Sequence, residues 1–410
     1  MEPEALRTLV LIVSIATLSP FLSDIAKRWT RIPGVVIEIG LGIIIGPYVL
    51  GWAEVDQVID FLAELGLVFL IFLAGFEIDP KVVKGRPIKL AVVGWLLSLV
   101  LGIVIATGLH ALDITAGVRF VAIALTTTAI GTLLPILGDA GVLPTKLGAN
   151  ILASGSVGEI GPIIAISLAL TSDEPGRTTA VLAIFVLIAG VVGWLATRPA
   201  KPRTIELITK TLHSSGQRGV RICVMLCLIL VWTASEFGLD VLLGAFAAGM
   251  VARLFLIGHS AGQGDPAADE SANRQVQHRI EALSFGFFIP LFFVVSGVRF
   301  DLDALLDPIE LVKVPMFLCL FVVVRGLPAL LYRRDLVPRD VVALGLLQAA
   351  ALPLLVVITT IGVDSGQMRT DNAAGLVGAG LLSVIILPII ALAIRPKDPE
   401  PVTEPADTVG

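Results

Sequence analysis

One carboxylate stands out. Glu159 lies near the middle of residues 148–170, GANILASGSVGEIGPIIAISLAL, a run that stays apolar for about the width of a bilayer. An ionisable side chain at that depth costs about 2.5–3.5 kcal/mol on insertion scales, so a chain that keeps one is expected to use the charge. A carboxylate can hold a cation, and as a carboxylic acid it holds a proton. One group can therefore exchange the two. Small residues surround it, namely Ser154, Gly155, Ser156, Gly158 and Gly161, with Pro162 just after. They leave room for an ion, a water or another helix, and the Ser156 hydroxyl is a candidate ligand beside the acid.

A basic group is available at comparable depth. Arg325 sits in LCLFVVVRGLPALL, where it can be a mechanistic counter-charge or half of a structural ion pair with Glu159 that only locks two helices. Thr126, Thr127 and Thr128 can offer hydroxyl and backbone oxygens to an ion, or simply pack helices as small polar residues. Glu38 and Glu64 also fall in apolar stretches and read as local hydrogen bonds or interhelical pairs. His110, His213, His259 and His278 lie in or beside loops without a metal-ligand spacing. No nucleophile–base set, metal cluster or aspartate-rich diphosphate motif appears, so the chain reads as a non-enzyme that carries no cofactor.

The elements that must position these groups are membrane helices. Of 410 residues, 56% are hydrophobic and 15% charged, against roughly 25% charged in soluble domains. Only residues 258–281 and the tail after Arg395 are long polar pieces. No basic cluster with interleaved aromatics suggests nucleic acid. Cys223, Cys227 and Cys319 all lie in apolar segments and read as small core residues rather than a disulfide framework. A span needs about 20 apolar residues. Thirteen segments qualify: 5–26, 32–50, 58–78, 87–109, 116–137, 148–170, 178–197, 219–237, 239–257, 280–298, 308–331, 341–363 and 373–394. They are spans 1 to 13. The first lacks a basic leader and reads as a span, not a cleaved signal. Lys and Arg concentrate in the segments after odd-numbered spans, which puts the N-terminus outside and the C-terminus in the cytoplasm of a bacterial-type plasma membrane.

Thirteen spans invite a division into six, one linking span and six, two halves of inverted topology. Spans 5 and 12 then correspond, as do 4 and 11, and 6 and 13. Span 5 reads LTTTAIGTLLPIL, with Thr126 opening the polar run and Pro135 near its end; span 12 reads LLQAAALPLLVVIT, with Gln348 and Pro353. Polar residues and a proline in mid-span free backbone groups that must be satisfied inside the protein or by an ion. A matched pair of broken helices is the best sequence pointer to a transporter's central site.

These features together resemble the monovalent cation:proton antiporter-2 family, the sodium/proton and potassium/proton exchangers. The resemblance covers spans 2 to 13. Span 2 reads RIPGVVIEIGLGIIIGPYVLG, similar to the family's pattern through Pro33, Glu38, Gly42, Gly46, Pro47 and Gly51. Span 3 reads LAELGLVFLIFLAGFEIDP, with Glu64, Gly66, Phe72, Gly75, Glu77 and Asp79; span 9 has LGAFAAGMVAR and span 10 IEALSFGFFIPLFFVVSGVRFDL. The resemblance implies an all-α polytopic fold with two crossed discontinuous helices. The core domain would be residues 87–171 and 308–395, and the dimerisation helices residues 1–86 and 219–307. Residues 172–218 would link the halves, and 396–410 would form a disordered tail. It also implies a homodimer, Glu159 at the ion site and Arg325 as the embedded basic residue. Where the family usually shows Asp–Asp, Asn–Asp or Gln–Asp, this chain has Gly158–Glu159. The sequence ends soon after span 13, so gating by a nucleotide-binding domain is not expected.

The expected activity is exchange of Na+ or K+ for protons by alternating access, electroneutral because one acid serves both ions. Two rivals remain at this stage: a sodium-coupled symporter of an organic anion on a similar fold, and a non-transporting module that senses ions or scaffolds a partner.

Overall fold

The computed structural model describes residues 3–26, 33–77, 86–170, 218–237, 241–260, 266–303 and 311–395. Among these residues the protein is all-helical. Nine helices are long and apolar enough to cross a membrane, and two shorter apolar helices accompany them. It is a polytopic membrane protein. Every expected span but the seventh falls on helix; the seventh, residues 178–197, lies outside the described residues, as does the tail.

The helices are α1 (Pro3–Ala26), α2 (Gly34–Ile45), α3 (Gln57–Glu77), α4 (Arg86–Ala111), α5 (Val118–Ala124), α6 (Ile130–Asp139) and α7 (Lys146–Leu170) in the first part. The second part holds α8 (Arg218–Glu236), α9 (Val241–Ser260), α10 (Pro266–Leu283), α11 (Ile289–Val298), α12 (Lys313–Gly326), α13 (Pro338–Gln348), α14 (Pro353–Asp364) and α15 (Thr370–Ile394). Within the stretch 258–281 expected to be a polar loop, the residues from Pro266 on instead form α10, which runs into α11 through one π-helical turn, Ser284–Phe288. Span 2 is shorter than expected. Its helix stops at Ile45, because Gly46 is extended and Pro47 disfavours helix in the residue before it.

Packing falls into two groups. In one, α3 lies against α9 and α11, α2 against α1 and α11, and α8 against α9. The α2–α11 crossing is close because Gly42 faces the Val294 carbonyl while Gly297 faces the Ile39 carbonyl, leaving no space for a Cβ on either side. This gives Gly42 of the span 2 motif a packing role. In the other group, α4 lies against α5 and α7, and α12 and α13 against α15. Among the described spans, the broken span Pro338–Asp364 is the most enclosed and the α1 span the least.

Both breaks have visible causes. After α5 the chain leaves the helix at Thr126–Ala129. The Thr126 and Thr127 hydroxyls donate to the carbonyls of Ile123 and Ala124 (2.7 and 2.8 Å), a local alternative to helical bonding that β-branched Thr favours. Pro135 lies inside α6, after the break rather than at it, so the threonines interrupt span 5. In span 12 the order is reversed. Gln348 ends α13, three alanines follow, and Pro353 occupies the first turn of α14, where its missing N–H and fixed φ suit a helix start.

Candidate ion-binding site

The two breaks meet. The Ala129 amide donates to the Ala350 carbonyl (2.8 Å), and the Thr128 hydroxyl donates to the Gln348 carbonyl (2.7 Å). Each break thus satisfies backbone groups that the other's interrupted helix leaves open, as a low-dielectric interior requires. The Thr128 amide donates to the Gly158 carbonyl of α7 (3.2 Å). The next half-helix, α6, has no capping side chain of its own. Its first amide, Ile130 N–H, donates instead to Glu159 Oε1 at 3.1 Å. The half-buried Glu159 side chain therefore stands at a helix N-terminus, where backbone amides favour negative charge.

Arg325 is 2% exposed and is held by neutral groups. Its Nε and Nη2 donate to Thr128 Oγ1 (3.0 and 2.8 Å), Nη1 to Ser98 Oγ of α4 (3.3 Å) and Nη2 to the Ser154 carbonyl (3.4 Å). These are not the carboxylate partners of a structural ion pair. A threonine hydroxyl has one O–H and two lone pairs, and Thr128 spends all three on Arg325 and Gln348. Thr128 thus clamps span 11 to both breaks and has no hydroxyl lone pair left for an ion. Ser156 is half-buried and donates to the Leu152 carbonyl of its own helix (2.9 Å).

Gly158 has a geometric explanation. A Cβ there would fall 2.7 Å from Thr128 Oγ1 and 2.8 Å from Arg325 Nη2. The guanidinium and hydroxyl occupy the place in which the family pattern has a polar side chain. Glycine at 158 is what lets Arg325 approach α7 this closely. On the same face, one turn on, the Trp95 ring of α4 covers Gly161.

Sequence reasoning brought Glu159, Arg325, Thr128 and Gln348 to one place. It missed Ser98, which carries no charge signal, and the Ile130 amide, which carries none at all. It also assigned no partner to Lys313 and did not single out Asp371. The two are buried together, with Lys313 Nζ 2.8 Å from Asp371 Oδ2 and 3.0 Å from Asn372 Oδ1. Glu38 follows its expected local reading, accepting from Ser19 of α1 at 3.3 Å. Among the described residues no cluster of His, Cys, Asp and Glu could hold a metal.

Comparison with known proteins adds to this geometry. Residues 11–394 match the family described as sodium/hydrogen exchanger, transmembrane. The chain is 27% identical over 95% of its length to cation/H(+) antiporter 17 of Arabidopsis thaliana, covering 48% of that protein. It is 25% identical over 90% of its length to a Na(+)/H(+) antiporter of Enterococcus hirae, covering 93% of it. The chain spans about half the length of the plant relatives it matches and 65% of a Bacillus subtilis one. The fold is similar to that of the sodium proton antiporter MjNhaP1 from Methanocaldococcus jannaschii, with a TM-score of 0.64 at 15% identity over 95% of this chain and 96% of that one.

Proposed function

The chain belongs to the family of transmembrane sodium/hydrogen exchangers, and from that premise we propose that it exchanges a monovalent cation, Na+ or K+, for protons by alternating access. One observation carries the reading. An acid deep in the membrane, Glu159, is oriented by the first amide of a half-helix at a mid-span break. Cation and proton compete for that carboxylate. Thr127 and Ser156 supply hydroxyl oxygens to the cation, and Thr128 its backbone oxygen.

Either ligand neutralises the acid. A bare carboxylate is costly to carry through an apolar interior and a neutralised one is much less so, so the core moves when loaded and stalls when empty. The core is residues 87–171 and 308–395. Residues 1–86 and 219–307 form the stationary domain through which two copies pair, and residues 172–218 connect the halves. The N-terminus is outside and the C-terminus cytoplasmic in a bacterial-type plasma membrane, on the basis of the charge asymmetry of the connecting segments.

Arg325 acts as a fixed counter-charge. Clamped to Thr128 and Ser98 of the same core, it travels in both half-cycles and adds no net charge. Exchange is then one proton per cation and insensitive to voltage, whereas an extra net charge would feel about 2.3 kcal/mol per 100 mV.

The test is a vesicle assay with a pH-sensitive dye and a panel of Na+, K+ and Li+, with and without an imposed potential. Cation gradients should drive opposite proton movement at a rate independent of voltage, and Glu159→Gln should lose it. A current on adding the cation gradient would overturn the stoichiometry. Cation uptake with no counter-flow of protons would overturn the exchange reading.

A further inference from the structure

Far from the breaks, α8 and α10 form a groove of about 580 Å³ that faces outward, within the roughly 300–1,000 Å³ typical of ligand pockets. Its walls are apolar. Val224, Leu228 and Trp232 run along α8, and Leu283 of α10 stands opposite. Leu228 and Trp232 are 49% and 64% exposed. Only one end is charged. Arg221 lines the groove there and is exposed. Arg279 lies one turn before Leu283 on α10, on the face that meets α8, where Val276 packs against Gly219. Among the described residues neither arginine forms an ion pair.

The dimensions match half a bilayer. Arg221 to Trp232 is eleven residues of helix, about 16 Å at 1.5 Å per residue, against about 15 Å for one leaflet of a roughly 30 Å hydrocarbon core. The charged end follows the strongly basic segment between spans 7 and 8, which marks the cytoplasmic side. We propose that this groove is a binding site for one anionic phospholipid of the inner leaflet. The phosphate lies between Arg221 and Arg279, and one acyl chain lies along Val224, Leu228 and Trp232. Charge complementarity selects this occupant over a second copy of the chain, which in a two-fold contact would bring like charge to the same depth. Basic pockets between helices on the cytoplasmic side are where anionic headgroups bind.

The test reads lipid binding without transport, so its outcome is independent of the exchange reading. The purified, detergent-solubilised protein is titrated with phosphatidylglycerol or phosphatidylcholine of the same acyl chains, and bound lipid is counted by native mass spectrometry. Phosphatidylglycerol should bind more tightly, with about fivefold lost for each arginine in Arg221→Ala and Arg279→Ala. Leu228→Trp, which fills the groove, should weaken both lipids. Equal binding of the two lipids by the unaltered protein would overturn the proposal. So would an unchanged preference in the double arginine variant. Loss of dimer mass in Leu228→Trp with lipid binding intact would make the groove a subunit contact instead.

Discussion

The two broken spans solve the same problem with different chemistry. At the first break, the amide that opens α6 is satisfied by the carboxylate of Glu159 on the following span. At the second, the Ala351 amide is satisfied by the hydroxyl of Ser383 on α15, at 3.0 Å. In the proposed inverted repeat spans 6 and 13 correspond, which makes Ser383 the counterpart of Glu159. One half of the molecule caps its break with a group that can change charge, and the other with one that cannot. The first break is also lined by threonines, the second by Ala349, Ala350 and Ala351. The two breaks are capped in the same manner, but only the first cap can change its charge. On the proposed mechanism a pair of titratable caps would carry two charges per cycle, and a single one would carry one.

Substitutions can break this comparison in order of expected size. Glu159→Gln keeps an acceptor oxygen for Ile130 but cannot exchange a proton, and should abolish cation-dependent proton movement in vesicles while the protein still elutes as a folded particle. Thr128→Val is next. It removes the acceptor of two Arg325 hydrogen bonds and the donor to Gln348, leaving a buried charge short of partners. The expected loss is about 3 kcal/mol, read as a lower unfolding temperature in detergent, together with reduced exchange. Thr128→Ser should restore both.

Gly158→Ala introduces a Cβ where Arg325 and Thr128 already sit. Overpacking of this kind costs about 1–3 kcal/mol, and the matching thermal melt should show a smaller drop than Thr128→Val. If Gly158→Ala proves silent, the guanidinium is not seated against α7. Ser383→Ala should do least. It leaves the Ala351 amide unpaired, a loss of about 1–3 kcal/mol, but exchange should persist because no proton is bound there. Loss of exchange in a folded Ser383→Ala protein would erase the distinction between the two breaks.

Much of this was legible in the sequence, because the membrane makes the rules strict. The all-helical membrane fold, the pairing of spans 5 and 12 and the prominence of Glu159 all follow from hydropathy and the cost of a buried charge. The location of the first break was legible only in part. Pro135 is the more obvious helix breaker, yet the interruption comes earlier, where three successive threonines compete for backbone carbonyls. What each threonine does was not legible. Thr126 and Thr127 bond to their own segment and Thr128 reaches across to Gln348, a difference set by tertiary contact. Gly158 looked like a missing ligand until Arg325 was seen to occupy its space. Ser383 gave no signal, since a serine inside an apolar helix usually bonds to its own backbone, as Ser383 also does to the Gly380 carbonyl at 2.7 Å.

The central claim is that cation and proton compete for the Glu159 carboxylate. The most direct measurement is proton release when Na+ or K+ is added to lightly buffered, detergent-solubilised protein, with Glu159→Gln and Ser383→Ala in parallel. The unaltered protein and Ser383→Ala should release up to one proton for each cation bound, and Glu159→Gln none. Cation binding without proton release in the unaltered protein, or equal release from Glu159→Gln, would contradict it.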